Sequence, residues 1–183
     1  MGGFPMPGED VHNAYPELPV LSFTRTSIAV ATVVDYMSRA DVTTVVKRAA
    51  FVIFRNESGS GQKGINNNYA GFQADGDPRA EKWTPFFAGT CVHPEGGTGK
   101  LRRFLCFKDW RSCFDLLCET VSLRGLYVGG YAHPYANMHI NTEDDWPLGY
   151  QREWVTGSSK AEIKDEDKKS LLSQYADAVR TFP

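Results

Sequence analysis

Residues 41–61 read DVTTVVKRAAFVIFRNESGSG, and this stretch decides the fold. Val45, Val46, Ala49, Val52 and Ile53, with the neighbouring Phe51, make a broad apolar face at helical spacing, so the segment is a helix set into a core. Asp41 stands at the N-cap position, and Thr43 and Thr44 fall in the first turn. Gly59-Ser60-Gly61 stops the helix and leaves Glu57 at its C-terminal end. The helix dipole mildly disfavours a carboxylate there, which is consistent with a functional reason or a raised pKa as well as with a plain solvated residue at a helix end.

Upstream, residues 1–22 carry Pro5, Pro7, Pro16 and Pro19 with little periodicity and read as an extended arm. Thr26 or Ser27 can cap a first helix that runs through Met37. Downstream, INNNYAGFQADGDP (65–78) is dense in Asn and Gly, which favour turns and left-handed backbone, so a compact loop is expected beside the helix end. Residues 86–93 and 101–107 flank the turn PEGGTGK and read as a β-hairpin. Asp109 begins a helix with Phe114, Leu117, Cys118 and Val121 on one side. LYVGGYAHPYA (126–136) is read as the start of another helix, and TEDDWPLGYQREWV (142–155) as partly helical. A last amphipathic helix is expected over Ser170–Phe182 through Leu171, Leu172, Tyr175 and Val179. The expected class is mainly α with a small β-hairpin lobe (α+β).

At 183 residues and 42% hydrophobic content the chain suits one globular domain with a sizeable core. A formal charge of −2 gives no global pull toward nucleic acid or anionic membranes. The longest apolar stretch, Ser27–Val34, is far short of the roughly 20 residues that span a bilayer, so no membrane insertion is expected. The start MGGFPMPGED shows neither a basic n-region nor an apolar h-region. Four cysteines (Cys91, Cys106, Cys113, Cys118) have no zinc-ligand spacing, and no cofactor is implied. Cys113 and Cys118 pack as small apolar groups on a helix. Cys91 and Cys106 fall on strands that can pair, which leaves a disulfide open.

Glycoside cleavage needs an acid that stays protonated where free Glu would ionise, and an apolar, partly buried site supplies one. Glu57 follows Val52-Ile53-Phe54 and precedes the Asn-rich loop, whose amides suit sugar hydroxyls and whose Tyr69 and Phe72 suit sugar faces. RNESGSG followed by NNNYAGFQAD resembles the lysozyme-like superfamily, and most closely the bacterial endo-N-acetylglucosaminidases of autolysin and flagellar peptidoglycan-hydrolase type. Four landmarks carry the resemblance over about residues 45–140. They are the Glu helix, Asn67-Asn68-Tyr69-Ala70-Gly71-Phe72, the stretch RRFLCFKDWRSCFDLL (102–117), and Gly130-Tyr131-Ala132-His133-Pro134-Tyr135-Ala136. The expected organisation is an N-terminal arm (1–22), a lysozyme-like catalytic domain (23–156), and a linker with a C-terminal helix packed on it (157–183), the arm and the C-terminal third lying outside the resemblance.

It also implies roles. Glu57 matches the catalytic acid and Tyr131 the motif tyrosine near the cleaved sugar. Ser58, Asn68, Tyr69, Gly71, Phe72, Gln73 and His133 line up with the substrate cleft. The family's second acid lies on the hairpin; here the nearest is Glu95, with Asp75 and Asp77 as other candidates. The family's Asp in the last motif is replaced in the region of His133. The implied partner is the peptidoglycan glycan strand, acted on in the bacterial cell wall or periplasm. Delivery would be by a phage particle or a specialised secretion system, the latter with an immunity protein. Two alternatives stay open: a lytic transglycosylase, to which Ser58 and Gly71-x-Gln73 are also similar, and a non-catalytic glycan-binding or structural relative. His93, His133 and His139 have no metal-site spacing, Trp110, Trp146 and Trp154 suit core or cleft wall, and GGTGK (96–100) lacks phosphate-loop spacing.

Overall fold

Thr43, rather than Asp41, opens the helix on which the fold turns. Its Oγ1 accepts from the Val46 amide at 3.4 Å and its carbonyl takes the first helical bond, from Lys47, at 3.0 Å. Helix α2 then spans Thr44–Glu57, with Val46 and the whole run Ala49–Phe54 buried. The computed structural model describes residues 11–75, 78–94, 99–124, 131–133, 138–140, 145–156, 158 and 160–183. Their architecture is mixed α+β.

In chain order the other elements are β1 (Arg25–Thr26), α1 (Val30–Arg39), β2 (Gly64–Ile65), β3 (Phe87–Pro94), β4 (Leu101–Phe107), α3 (Trp110–Arg124), β5 (Tyr131–His133), β6 (Met138–Ile140), α4 (Trp146–Tyr150) and α5 (Asp165–Thr181). A 3₁₀ segment, Pro78–Phe86, leads into β3, and a π-helical turn, Gln151–Thr156, follows α4. Among the described residues the strands form three antiparallel pairs, β1–β2, β3–β4 and β5–β6. Strand pairing is therefore wider than the single hairpin expected. The 126–136 stretch contributes strand β5 where a helix start was read. The first helix begins at Val30 because Arg25 and Thr26 pair with Ile65 and Gly64.

Packing groups the chain into two compact units, Met1–Val30 with Glu57–Leu116, and Ala31–Asn56 with Leu117–Pro183. In the first, β3 and β4 pair from Phe87↔Phe107 to Pro94↔Leu101, and Phe87, Cys91, Leu105, Cys106 and Phe107 are buried. The arm does not stand free. Val20 bridges Thr90 in parallel, Thr90 N donates to Pro19 O at 2.9 Å, and Leu21 N donates to Thr90 O at 2.7 Å. Gly89 permits this close approach, since a Cβ there would lie 2.3 Å from the Pro19 carbonyl oxygen. Tyr15 packs edge-on against Phe87, with centroids 5.8 Å apart. On α3, Asp109 accepts from Arg111 N at 2.7 Å at the helix start, and Cys113, Phe114 and Leu116 turn into this core.

In the second unit, α5 closes on α2 and α4. Phe182 meets Phe51 edge-on at 5.5 Å, Tyr175 meets Trp146 at 5.7 Å, and Phe182 O accepts from Arg48 Nε at 2.8 Å. The expected last helix is longer than read from its apolar spacing, because the acidic run Asp165-Glu166-Asp167 is its first turn. All four cysteines are buried and none is in a disulfide. Cys91 faces Phe104 across the ladder and Cys106 faces Gly89, so the two thiols are diagonal neighbours and not a directly opposed pair. Among the described residues no helix is long and apolar enough to cross a membrane.

Candidate functional site

Glu57 is the last residue of α2, directly after a wall of buried side chains, and is exposed, in place of the partly buried setting expected for it, because the apolar run ends at Phe54. The helix cannot continue past it, because Gly59, Ser60 and Gly61 all take positive φ, at 54°, 56° and 87°. Ser58, fully buried, ties off this end. Its Oγ accepts from Gly61 N at 2.9 Å and its carbonyl accepts from Lys63 N at 2.8 Å.

The Asn-rich loop then folds back on the helix end. Asn66 and Asn67 take φ of 46° and 63°, a region that asparagine tolerates better than most residues. Asn66 anchors the arm, accepting from Thr24 N at 2.8 Å and donating to Ser22 O at 3.0 Å. Asn67 Nδ2 donates to Phe107 O at 3.2 Å. Asn68, 3% exposed, is wired at both ends of its amide. Nδ2 donates to Phe72 O at 2.8 Å and Leu105 O at 2.9 Å, while Oδ1 accepts from Ala70 N at 3.3 Å and Phe72 N at 3.1 Å. The loop amides expected to meet sugar hydroxyls thus bond the protein's own backbone.

Gly71, at φ +70°, is the point where loop and helix meet: a Cβ on it would lie 2.9 Å from Glu57 Oε2. Phe72, next in the chain, is half-buried with its ring 6.1 Å from that of Phe107, and Gln73 bridges Phe104 on β4.

Tyr69 sits in the core and not on the surface. It is 2% exposed, its ring stacks on Phe114 at 6.2 Å, and its amide donates to Cys113 Sγ at 3.2 Å. Gly64 makes room for that ring, since a Cβ there would fall 2.5 Å from Tyr69 Cε1. Burial pushes the Tyr69 phenol above its ordinary pKa, against a smaller opposing effect from its hydrogen bond with Thr26. Thr26 also accepts from Asn67 N at 3.0 Å. Nothing in the sequence marks Thr26 for this task, because its partners lie some forty positions away and its pairing is purely tertiary. On the hairpin, a hydrogen bond from Cys106 lowers the Cys91 thiol, helped by Arg103, and the same bond and burial push Cys106 up.

The structure therefore brings Glu57, Ser58, Asn68, Gly71, Phe72 and Gln73 into one unit, with the Glu57 carboxylate over Gly71. Tyr131 and His133 lie on β5, in the other unit. Of the acids nominated to partner Glu57, Asp75 is exposed on the same loop, whereas Glu95 and Asp77 lie outside the described residues. Among the described residues no cluster of three or more His, Cys, Asp or Glu could hold a metal ion. No protein-family model matches the chain. No curated protein and no solved structure matches it either.

Proposed function

We propose that this chain is a lysozyme-like enzyme that cleaves the glycan strand of peptidoglycan, with Glu57 as general acid. The observation that carries the reading is the placement of one accessible carboxylate at the end of a buried helix, against a glycine of a loop clamped by Asn68. An acid in that setting is open to a ligand on one side and backed by fixed backbone on the other. In this reading Glu57 gives its proton to the leaving glycosidic oxygen as the C–O bond breaks. Water adds to the anomeric carbon and yields its proton to a second base.

Asp75 is the described candidate for that base, and a water-activating carboxylate would stand roughly 6.5–9.5 Å from the acid. Phe72, half-buried beside Gly71, is the ring placed to meet a sugar face. Asn68 and Tyr69 support the cleft from inside, in place of touching the sugar. A second reading, lytic transglycosylation, draws on Gly71-x-Gln73; there the substrate's own 6-hydroxyl closes an anhydro ring without water. The place of action is the bacterial cell wall, reached from a phage particle or a secretion machine.

Glu57→Gln removes the proton while keeping the shape. Loss of a general acid slows cleavage by about 10²–10⁴-fold, so muropeptide release from purified peptidoglycan falls by that factor while the circular dichroism spectrum is kept. Undiminished release by this variant overturns the assignment. The mass of the released ends separates the two readings: hydrolysis leaves a reducing sugar, and transglycosylation leaves an anhydro-muramic end.

A further inference from the structure

Position 71 bears directly on Glu57. Glu57 Oε2 lies 2.9 Å from where a Cβ would stand on residue 71, and the carboxyl carbon 3.7 Å from it. A side chain at 71 and the present carboxylate position therefore exclude each other. The loop cannot yield to resolve such a clash. Asn68 holds the amide of Phe72 at 3.1 Å and its carbonyl at 2.8 Å, and Leu105 N donates to that same carbonyl at 3.0 Å. Asn68 Nδ2 also bonds Leu105 O at 2.9 Å, which fastens the turn to β4. The carboxylate, at the end of a flexible side chain, is the part that moves.

We propose that Gly71, held by Asn68, is a positioning residue: its bare Cα sets where the Glu57 carboxylic acid stands. The placement rests on the geometry alone, and its catalytic consequence rests on the glycan-cleaving reading above. Proton donation tolerates little displacement of the acid, and misplacement by about 1 Å costs on the order of a hundredfold in rate.

Gly99 offers a matched control. Its φ is +68°, against +70° for Gly71, and a Cβ on it would meet nothing within 4 Å among the described residues. Alanine at either site bears the same left-handed backbone strain, but among the described residues it reaches a carboxylate at 71 and not at 99. The experiment compares Gly71→Ala and Gly99→Ala by thermal melting, by muropeptide release, and by the carbon-13 carboxyl signal of Glu57, assigned as the one missing in Glu57→Gln. Both variants lose similar stability. Gly71→Ala shifts the Glu57 signal and lowers kcat by about ten- to a hundredfold with little change in KM, while Gly99→Ala leaves signal and rate as in the parent. Where alanine at 71 prevents folding, Gly71→Asn keeps the test open, since asparagine accepts the left-handed backbone and carries the same Cβ. A Glu57 signal unmoved by either substitution at 71 overturns the inference. A shifted signal in a protein whose parent releases no glycan product upholds the placement and overturns the glycan-cleaving reading instead.

Discussion

Asparagine, tyrosine and glutamate divide the labour at the helix end in a way their residue types do not announce. Asn68 and Tyr69 look like ligand contacts in the sequence, yet one is consumed by backbone and the other by core. What separates them from Glu57 is burial, a tertiary property that no local pattern encodes. Gly71 was legible as a turn glycine, but its closeness to a carboxylate was not, since that contact depends on how the loop returns. Tyr69 also carries a pH signature. Its phenol is held neutral by burial, with a pKa raised in the fold. The stability this contributes is fully present below the unfolded value near 10 and is lost as pH rises through the folded value. Unfolding free energies measured from pH 8 to 11 therefore fall more steeply in the parent than in Tyr69→Phe, and parallel curves would remove the buried phenol from the account.

At the scale of elements, legibility follows the length of the repeat. Helices α2 and α3 and the β3–β4 hairpin were readable because each carries a sustained period bounded by turn residues. The pairs β1–β2 and β5–β6 span two and three residues per strand, too few for any alternation to mark them. The same cause misplaced the start of α1: Thr26, an acceptable cap locally, is drawn into a strand and toward Tyr69. Helix α5 presents the converse case, a helix whose start is poorly capped. Lys164 occupies the N-cap with extended backbone (φ −70°, ψ 148°) and makes no side-chain capping bond. Lys164→Ser supplies the missing acceptor for an amide of the first turn. It should stabilise by about 1 kcal/mol and raise Tm by about 2–4 °C. A melting temperature at or below the parent's would show that this helix start frays regardless of its cap.

Across the whole molecule, the chain visits each unit twice, and its three changeovers fall inside α1, α2 and α3. No contiguous excision isolates either unit. Helix α5 supplies the second unit with Leu171, Tyr175 and Ala178, and Phe182 follows at its end, all buried. Burying a large apolar side chain is worth about 1.5–3 kcal/mol, so deleting residues 165–183 removes an amount comparable with the roughly 5–15 kcal/mol that holds a whole domain together. The truncated chain is expected to lose its near-ultraviolet circular dichroism from Trp146 and Tyr150 and to bind a hydrophobic dye. A truncated chain that keeps the parent spectrum and melts cooperatively would assign α5 a peripheral place.

The doubled path also orders events at the ribosome. Every segment of the first unit has been made once residue 116 emerges, so the Glu57 loop can settle against the hairpin while synthesis continues. The apolar face of α2 up to Asn56 must wait for α5, which takes roughly 3–13 s more at the usual elongation rates. During that interval the nascent chain carries its best-formed half beside a stretch of exposed valine and phenylalanine. That stretch is where a chaperone would bind first, and where slow translation would cost the most in aggregation.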